Sequence, residues 1–144
     1  MSSVAQRWIA VGALLGALGV ALGAYGAHGL ADFLTARGHT GNDLSHRLEI
    51  YNTAIHYQML HAVMLVVTGL VLEHRTSAWS RFAGWGFLVG ILLFSGLLKI
   101  LALAGSQWSW LGAIVPFGGV SLIAGWIALA VGALGKPKRD VEFQ

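Results

Sequence analysis

Four stretches of this chain carry almost no charge: Trp8 to Ala27, Ile50 to Leu72, Phe82 to Ala104 with Lys99 as its single exception, and Trp108 to Gly135. Nothing else in the sequence constrains the fold so tightly, because each run reaches the roughly 20 residues needed to cross a hydrocarbon layer about 30 Å thick. Inside lipid the backbone must satisfy its own hydrogen bonds, which leaves helices or a closed barrel. No run alternates with the two-residue period of a barrel strand, so the reading is all-α: a four-transmembrane-helix bundle. Composition agrees, since charged residues are 10% of the chain against about 25% in ordinary soluble domains.

The helices are expected at about 7–29, 45–73, 79–104 and 108–135, in a single integral membrane domain over 1–144, because no linker is long enough to separate two bodies. The first run is read as a retained helix, its apolar core being about twice the usual 7 to 15 residues of a signal peptide. Four spans place both termini on one side. Arg7, Arg75, Arg81, Lys136, Lys138 and Arg139 gather there, against Arg37 and Arg47 on the other face. By the positive-inside rule both termini are therefore inside and the first and third loops outside. The same placement accounts for the net charge of +3 without a nucleic-acid partner; the expected partner is the lipid bilayer. Around Pro137 the tail carries Lys136, Lys138 and Arg139, fewer than the usual four to eight of a lipid-binding cluster. The absence of cysteine excludes disulfides and thiolate metal sites, and no cofactor is expected.

Within the first loop, "ARGHTGND" from Ala36 to Asp43 is turn material, and Asn42, Asp43 or Ser45 can cap the second helix. Leu44, Leu48 and Tyr51 follow at helical spacing, so this helix begins with an amphipathic, interfacial turn or two.

Glycine is patterned. Gly12, Gly16, Gly19, Gly23 and Gly26 recur at spacings of 4, 3, 4 and 3 in the first helix, and "GAYGAHGL", Gly23 to Leu30, is the outer end of that stripe. Gly118, Ser121, Gly125, Ala128 and Gly132 repeat the pattern in the fourth. Small residues at this period allow close backbone approach between helices. Spacing leaves open whether the two stripes meet within one subunit, in a homo-oligomer or in a larger membrane complex.

Polar side chains occur where they are expensive. In "YNTAIHYQMLHAV", Thr53, Tyr57 and His61 fall within an arc of about 80°, with Gln58 roughly 60° from His61. Ser95 and Lys99 lie one turn apart in the third run, and Pro116 in the fourth is expected to kink its helix and free the carbonyl of Gly112. His61 lies about 15 Å beyond Tyr51, and Lys99 about 9 Å short of Gly105. These groups, with His28 at the end of the first helix, converge on the outer half of the bundle. Lys99 can snorkel to the interface or face the interior. His61, Tyr57 and Gln58 can equally form an interhelical hydrogen-bond cluster. His28 and His56 are the only tolerable pair for a haem.

"GAYGAHGL", "YNTAIHYQMLHAVMLVVTGL", "LFSGLLKILALAG" and "LGAIVPFGGVSLIAGWIALA" resemble, in order and spacing, segments of the domain-of-unknown-function 423 family, small membrane proteins of the YgdD and YwdK type. The resemblance implies a four-helix inner-membrane protein and transfers no catalytic residue; the cytoplasmic placement of both termini rests on the basic residues counted above. The family's marks fall on Gly26, His28, Tyr57, Gln58, His61, Ser95, Gly96 and Pro116. The chain departs from the family in the longer first loop, "RGHTGN", and at Lys99, where an uncharged residue is expected.

The leading functional reading is an outward-facing polar pocket built from His28, Tyr57, Gln58, His61, Ser95, Lys99 and Pro116 that binds a small molecule, a lipid headgroup or a proton. The alternative is a structural or accessory subunit of a larger membrane complex. A membrane enzyme or haem protein ranks third, since the spans hold no nucleophile–base pair, carboxylate or metal-ligand spacing.

Overall fold

The computed structural model describes residues 2–74, 77–104 and 106–134. Its elements in chain order are α1 (Ser3–His28), α2 (Leu30–Ala36), α3 (Gly41–His74) and α4 (Ala78–Gly90). α4 continues through a π-helical turn (Ile91–Gly96) into α5 (Leu97–Leu103), followed by a 3-10 helix (Ser106–Ala113) and α6 (Val115–Leu134). No strand occurs among the described residues. Four helical stretches are long and apolar enough to cross a membrane: Ser3–His28, Gly41–His74, Ala78–Leu103 and Gln107–Leu134. Of the basic residues that set the expected topology, Arg75, Lys136, Lys138 and Arg139 lie outside the described residues, as does Pro137.

Several boundaries have local causes. α1 starts at Ser3 because the Ser2 hydroxyl accepts the N–H of Ala5 at 3.2 Å, satisfying one of the free donors of the first turn. The Ser2 N–H goes to Glu73 Oε2 at 2.9 Å, which ties the start of α1 to the end of α3. α3 begins at Gly41 and runs for 34 residues, about 51 Å, well over the hydrocarbon thickness, so turns of it extend beyond the layer.

The first loop contains a helix that its turn residues conceal. α2 buries Leu30 and Leu34 with Tyr51 and Ala102 in a small second core, flanked by Leu44 and Leu48. Its end is set by Gly38, whose φ of +87° falls in the left-handed region that favours glycine. The His39 N–H bonds the Leu34 carbonyl at 3.1 Å and the Gly38 N–H bonds that of Thr35 at 2.9 Å, the paired bonds of a Schellman ending. The "ARGHTGND" segment is thus the stop signal of one helix and the approach to the next.

α1 packs along α3, and α6 along α4. The main core joins them through Ala5, Trp8, Leu65, Leu72, Phe87, Ile91 and Leu122. The α1–α3 crossing is close at Gly12, where a Cβ would stand 2.7 Å from the Ala62 carbonyl oxygen, and reciprocally at Gly69, 2.8 Å from that of Ala5. Gly26 faces the ring of Tyr51, a Cβ there meeting Cε1 at 2.8 Å, and the Tyr51 hydroxyl donates to the Leu22 carbonyl at 2.9 Å. This contact is what "GAYGAHGL" makes room for. On the other side Gly86 and Gly125 bring α4 and α6 together, and Ser121 Oγ donates to the Gly86 carbonyl at 2.9 Å.

One local expectation is corrected. Pro116 does not kink a long helix, because it stands in the first turn of α6, where its missing N–H costs nothing. The residues before it form the separate 3-10 helix, with Phe117 N–H bonded to the Ile114 carbonyl at 3.0 Å.

Candidate functional site

Two polar clusters occupy the interior where sequence spacing pointed to one. The first centres on Gln58, which is 1% exposed. Its amide Nε2 donates to the Leu15 carbonyl of α1 at 2.8 Å, and its Oε1 accepts from the Lys99 ammonium of α5. Gln58 therefore links three spans, and Lys99, half-buried, turns inward to it. The amide is suited to this position because it donates and accepts at once. Tethering the ammonium to an amide oxygen offsets part of its desolvation.

The second cluster centres on His61, 2% exposed. Its Nδ1 donates to the carbonyl of Tyr57, one turn earlier, at 2.8 Å. Its Nε2 accepts the indole N–H of Trp126 from α6 at 3.2 Å. Together these bonds use both ring nitrogens of a neutral imidazole that carries its proton on Nδ1. Aromatic rings surround it. Tyr57 stacks on His61 with ring centroids 5.9 Å apart and planes 19° from parallel, and Phe94 lies 4.6 Å from Tyr57. Phe87 packs edge-on to Trp126 at 5.6 Å and sits 5.7 Å from His61.

Beside this cluster an open groove of about 360 Å³ runs between α3 and α6, across the π turn. Tyr57, His61, Phe94 and Trp126 form its aromatic surface; Leu60, Leu122 and Ile123 complete the apolar wall, and Gly119 leaves its floor open. His56 lines it from the exposed side. Among the described residues no carboxylate lines the groove.

The structure brings Tyr57 and His61 together at the groove, and Gln58 and Lys99 together at the three-span node. Ser95, in the π turn, is fully buried, and its Oγ has no hydrogen-bond partner among the described residues. Pro116 is exposed at the start of α6 and His28 is exposed at the last residue of α1; neither lines the groove. The expectation that His28 reaches the same cavity is corrected by the packing, which sets α1 against α3 and α6 against α4. Sequence reading missed Trp126, Phe94 and Phe87. Trp126 stands one residue from Gly125 of the small-residue stripe and one turn after Leu122, a position that turns toward a neighbouring helix.

Fold and site together define a small helical membrane protein of several spans whose interior polar groups are joined across helices. The chain belongs to the family described as protein of unknown function (DUF423), whose model matches residues 22–119. That range holds every expected site residue and stops short of Trp126. Similar proteins are named UPF0382 membrane proteins. YwdK of Bacillus subtilis (strain 168) is 39% identical over 128 residues, covering 88% of this chain and 95% of its own. A Staphylococcus epidermidis (strain ATCC 12228) relative is 41% identical, covering 88% and 94%. SH2409 of Staphylococcus haemolyticus is 39% identical, covering 88% and 93%. No solved structure matches the chain significantly.

Proposed function

We propose that this membrane protein binds an amphiphilic small molecule in the groove between α3 and α6, with both termini cytoplasmic in the inner membrane and the groove opening in the outer half of the bilayer. The observation that carries the reading is the contrast within the groove. His61 and Trp126 are locked to each other, whereas the Tyr57 hydroxyl and the His56 ring, at the same wall, form no hydrogen bond with a described residue. A rigid aromatic surface with a few free polar groups at its edge suits a ligand with an apolar ring or chain and one polar end. The volume of about 360 Å³ lies within the range of about 300 to 1,000 Å³ common for such sites.

Filling the groove tests the reading. Gly119 has room for a Cβ at ordinary contact distance, 3.7 Å from Phe94 Cδ2, and Gly119→Leu extends further into the groove. Wild type and variant, purified from native membranes in mild detergent, are extracted and compared by mass spectrometry. A compound present near one per chain in wild type and lost from Gly119→Leu supports the proposal; identical extracts remove it.

A role as a structural or accessory subunit is the second reading. It is favoured by α1, which buries only Ala5, Trp8, Gly12 and Gly19 and leaves Gly16 with nothing within 4 Å of a Cβ. That open small-residue face could receive another helix, of a second copy or of a larger complex.

A further inference from the structure

A second groove lies between α1 and α4, with a volume of about 470 Å³. α1 lines it with Val4, Arg7, Trp8 and Val11, and α4 with Arg81, Trp85 and Leu88. Both sets follow helical spacing, so each helix presents a continuous strip. We propose that this groove seats one anionic phospholipid, its phosphate between Arg7 and Arg81 and an acyl chain along Trp8, Trp85 and the aliphatic residues behind them.

The chemistry of the walls is graded along the helix axes. Arg7 and Arg81 stand near the starts of α1 and α4; Val11 is about 6 Å deeper than Arg7, and Leu88 about 10 Å deeper than Arg81. Between them lie the two indoles, which favour the level of the headgroups and glycerol. The order of cation, indole and aliphatic side chain matches the order of phosphate, glycerol and hydrocarbon in a phospholipid.

The groove is structured rather than a gap between loosely placed side chains. Trp8, 7% exposed, is seated on Gly84, where a Cβ would come within 2.7 Å of the indole. Trp85 meets it edge-on with ring centroids 5.3 Å apart and is itself 59% exposed, leaving its face to an occupant. Arg7 and Arg81 are exposed and make no hydrogen bond or ion pair with a described residue. Among the described residues no acidic side chain lines the groove. Two unneutralised guanidiniums over an apolar trough complement a phosphate attached to a hydrocarbon chain, and guanidinium binds phosphate through paired N–H groups. A second copy of the chain, docking through the same face, would bring like charges together. No described residue lines both this groove and the one beside His61, so the two proposals stand or fall separately.

The test titrates the purified full chain in detergent with phosphatidylglycerol or with phosphatidylcholine of the same acyl chains, reading bound lipid by native mass spectrometry. The first phosphatidylglycerol is expected to bind at least about tenfold more tightly than phosphatidylcholine. Arg7→Gln and Arg81→Gln should each weaken it about fivefold, and the double variant should bind both lipids alike. Arg7→Lys with Arg81→Lys should keep a preference, and unchanged thermal unfolding of all variants separates lost binding from lost fold. Trp85→Ala should weaken both lipids together. Equal binding of the two lipids by wild type overturns the proposal, as does a phosphatidylglycerol preference that survives the double glutamine variant. Inorganic phosphate that displaces the lipid at equal concentration would make this a soluble-anion site instead. A dimer that the double glutamine variant dissociates would assign the face to a second copy.

Discussion

Trp126 donates its indole N–H to Nε2 of His61 at 3.2 Å, while His61 passes its own Nδ1–H to the Tyr57 carbonyl at 2.8 Å. The imidazole is thus a cross-link between the second and fourth spans, and its ring face, not its nitrogens, is what the groove sees. A histidine held this way is a poor candidate for taking up a proton without breaking a packing contact, which favours the small molecule over the proton among the ligands that sequence reading left open.

The cross-link has a measurable strength. Trp126→Phe keeps the ring and removes the donor, and is expected to lower unfolding stability in detergent by about 0.5 to 1.5 kcal/mol, the scale of interhelical side-chain bonds in membranes. Combined with His61→Phe in a double-mutant cycle, the pair should show a coupling of similar size. Strictly additive effects would mean that the two side chains merely pack.

Glycines of the α1 stripe should differ by what each one faces. At Gly12 an added Cβ meets backbone, the Ala62 carbonyl at 2.7 Å and the Val66 nitrogen at 2.9 Å, whereas at Gly19 it meets mainly the flexible end of Met59. At Gly16 it meets nothing within 4 Å. Gly12→Ala should therefore cost about 1 to 3 kcal/mol, Gly19→Ala less, and Gly16→Ala should stabilise by up to about 1 kcal/mol through helix propensity. Unfolding titrations that rank the three alike would place the stripe away from α3.

How much of this was legible in the sequence depends on the distance over which each cause acts. The spans follow from composition along the chain, a local property, and the small-residue stripe follows from period. Gln58 and His61, only 60° or so apart on α3, read as members of one cluster because a helical wheel cannot tell which neighbour stands beside each face. The packing gives Gln58 to α1 and α5 and His61 to α6. The π turn, which carries Ser95, leaves no composition signature in "ILLFSG". Arg47 was legible only as a topology charge, since apart from Asp43, one turn away, its partners are backbone carbonyls more than fifty residues distant.

Arg47 should matter for the small core beneath α2. Its Nη1 donates to the carbonyls of Ala102 at 3.1 Å and Ala104 at 2.9 Å, at the end of α5, while Nε bonds Asp43 Oδ1 at 3.1 Å. A cation here satisfies carbonyls that have no partner within the helix and sits favourably at the negative end of its dipole. Arg47→Met retains most of the aliphatic stem and is expected to cost about 1 to 2 kcal/mol, with faster hydrogen exchange at Leu103 and Ala104. Exchange unchanged at those amides would count against the capping role.

Topology can be read independently of packing. A cysteine placed at Thr40, between α2 and α3, should react with a membrane-impermeant maleimide from outside, and a reporter fused after Gln144 should be active in the cytoplasm. Labelling at position 40 only after permeabilisation reverses the orientation and moves both grooves to the opposite leaflets.

The Gln58 node makes the most discriminating stability prediction, because removing one partner and removing both should have different consequences. Gln58→Leu strands the Lys99 ammonium and deprives the Leu15 carbonyl of its donor, and should cost about 2 to 3 kcal/mol. Lys99→Met leaves the amide bonded to Leu15 but its Oε1 without a donor, a loss offset by sparing the chain a half-buried charge, so it should be close to neutral. The double variant should then be more stable than Gln58→Leu alone, since no ammonium remains to be desolvated in an apolar setting. Unfolding free energies in detergent decide it. A double variant whose loss equals the sum of the two singles would mean that Gln58 and Lys99 are not coupled, and the idea that the amide oxygen tethers the inward-turned ammonium would fail.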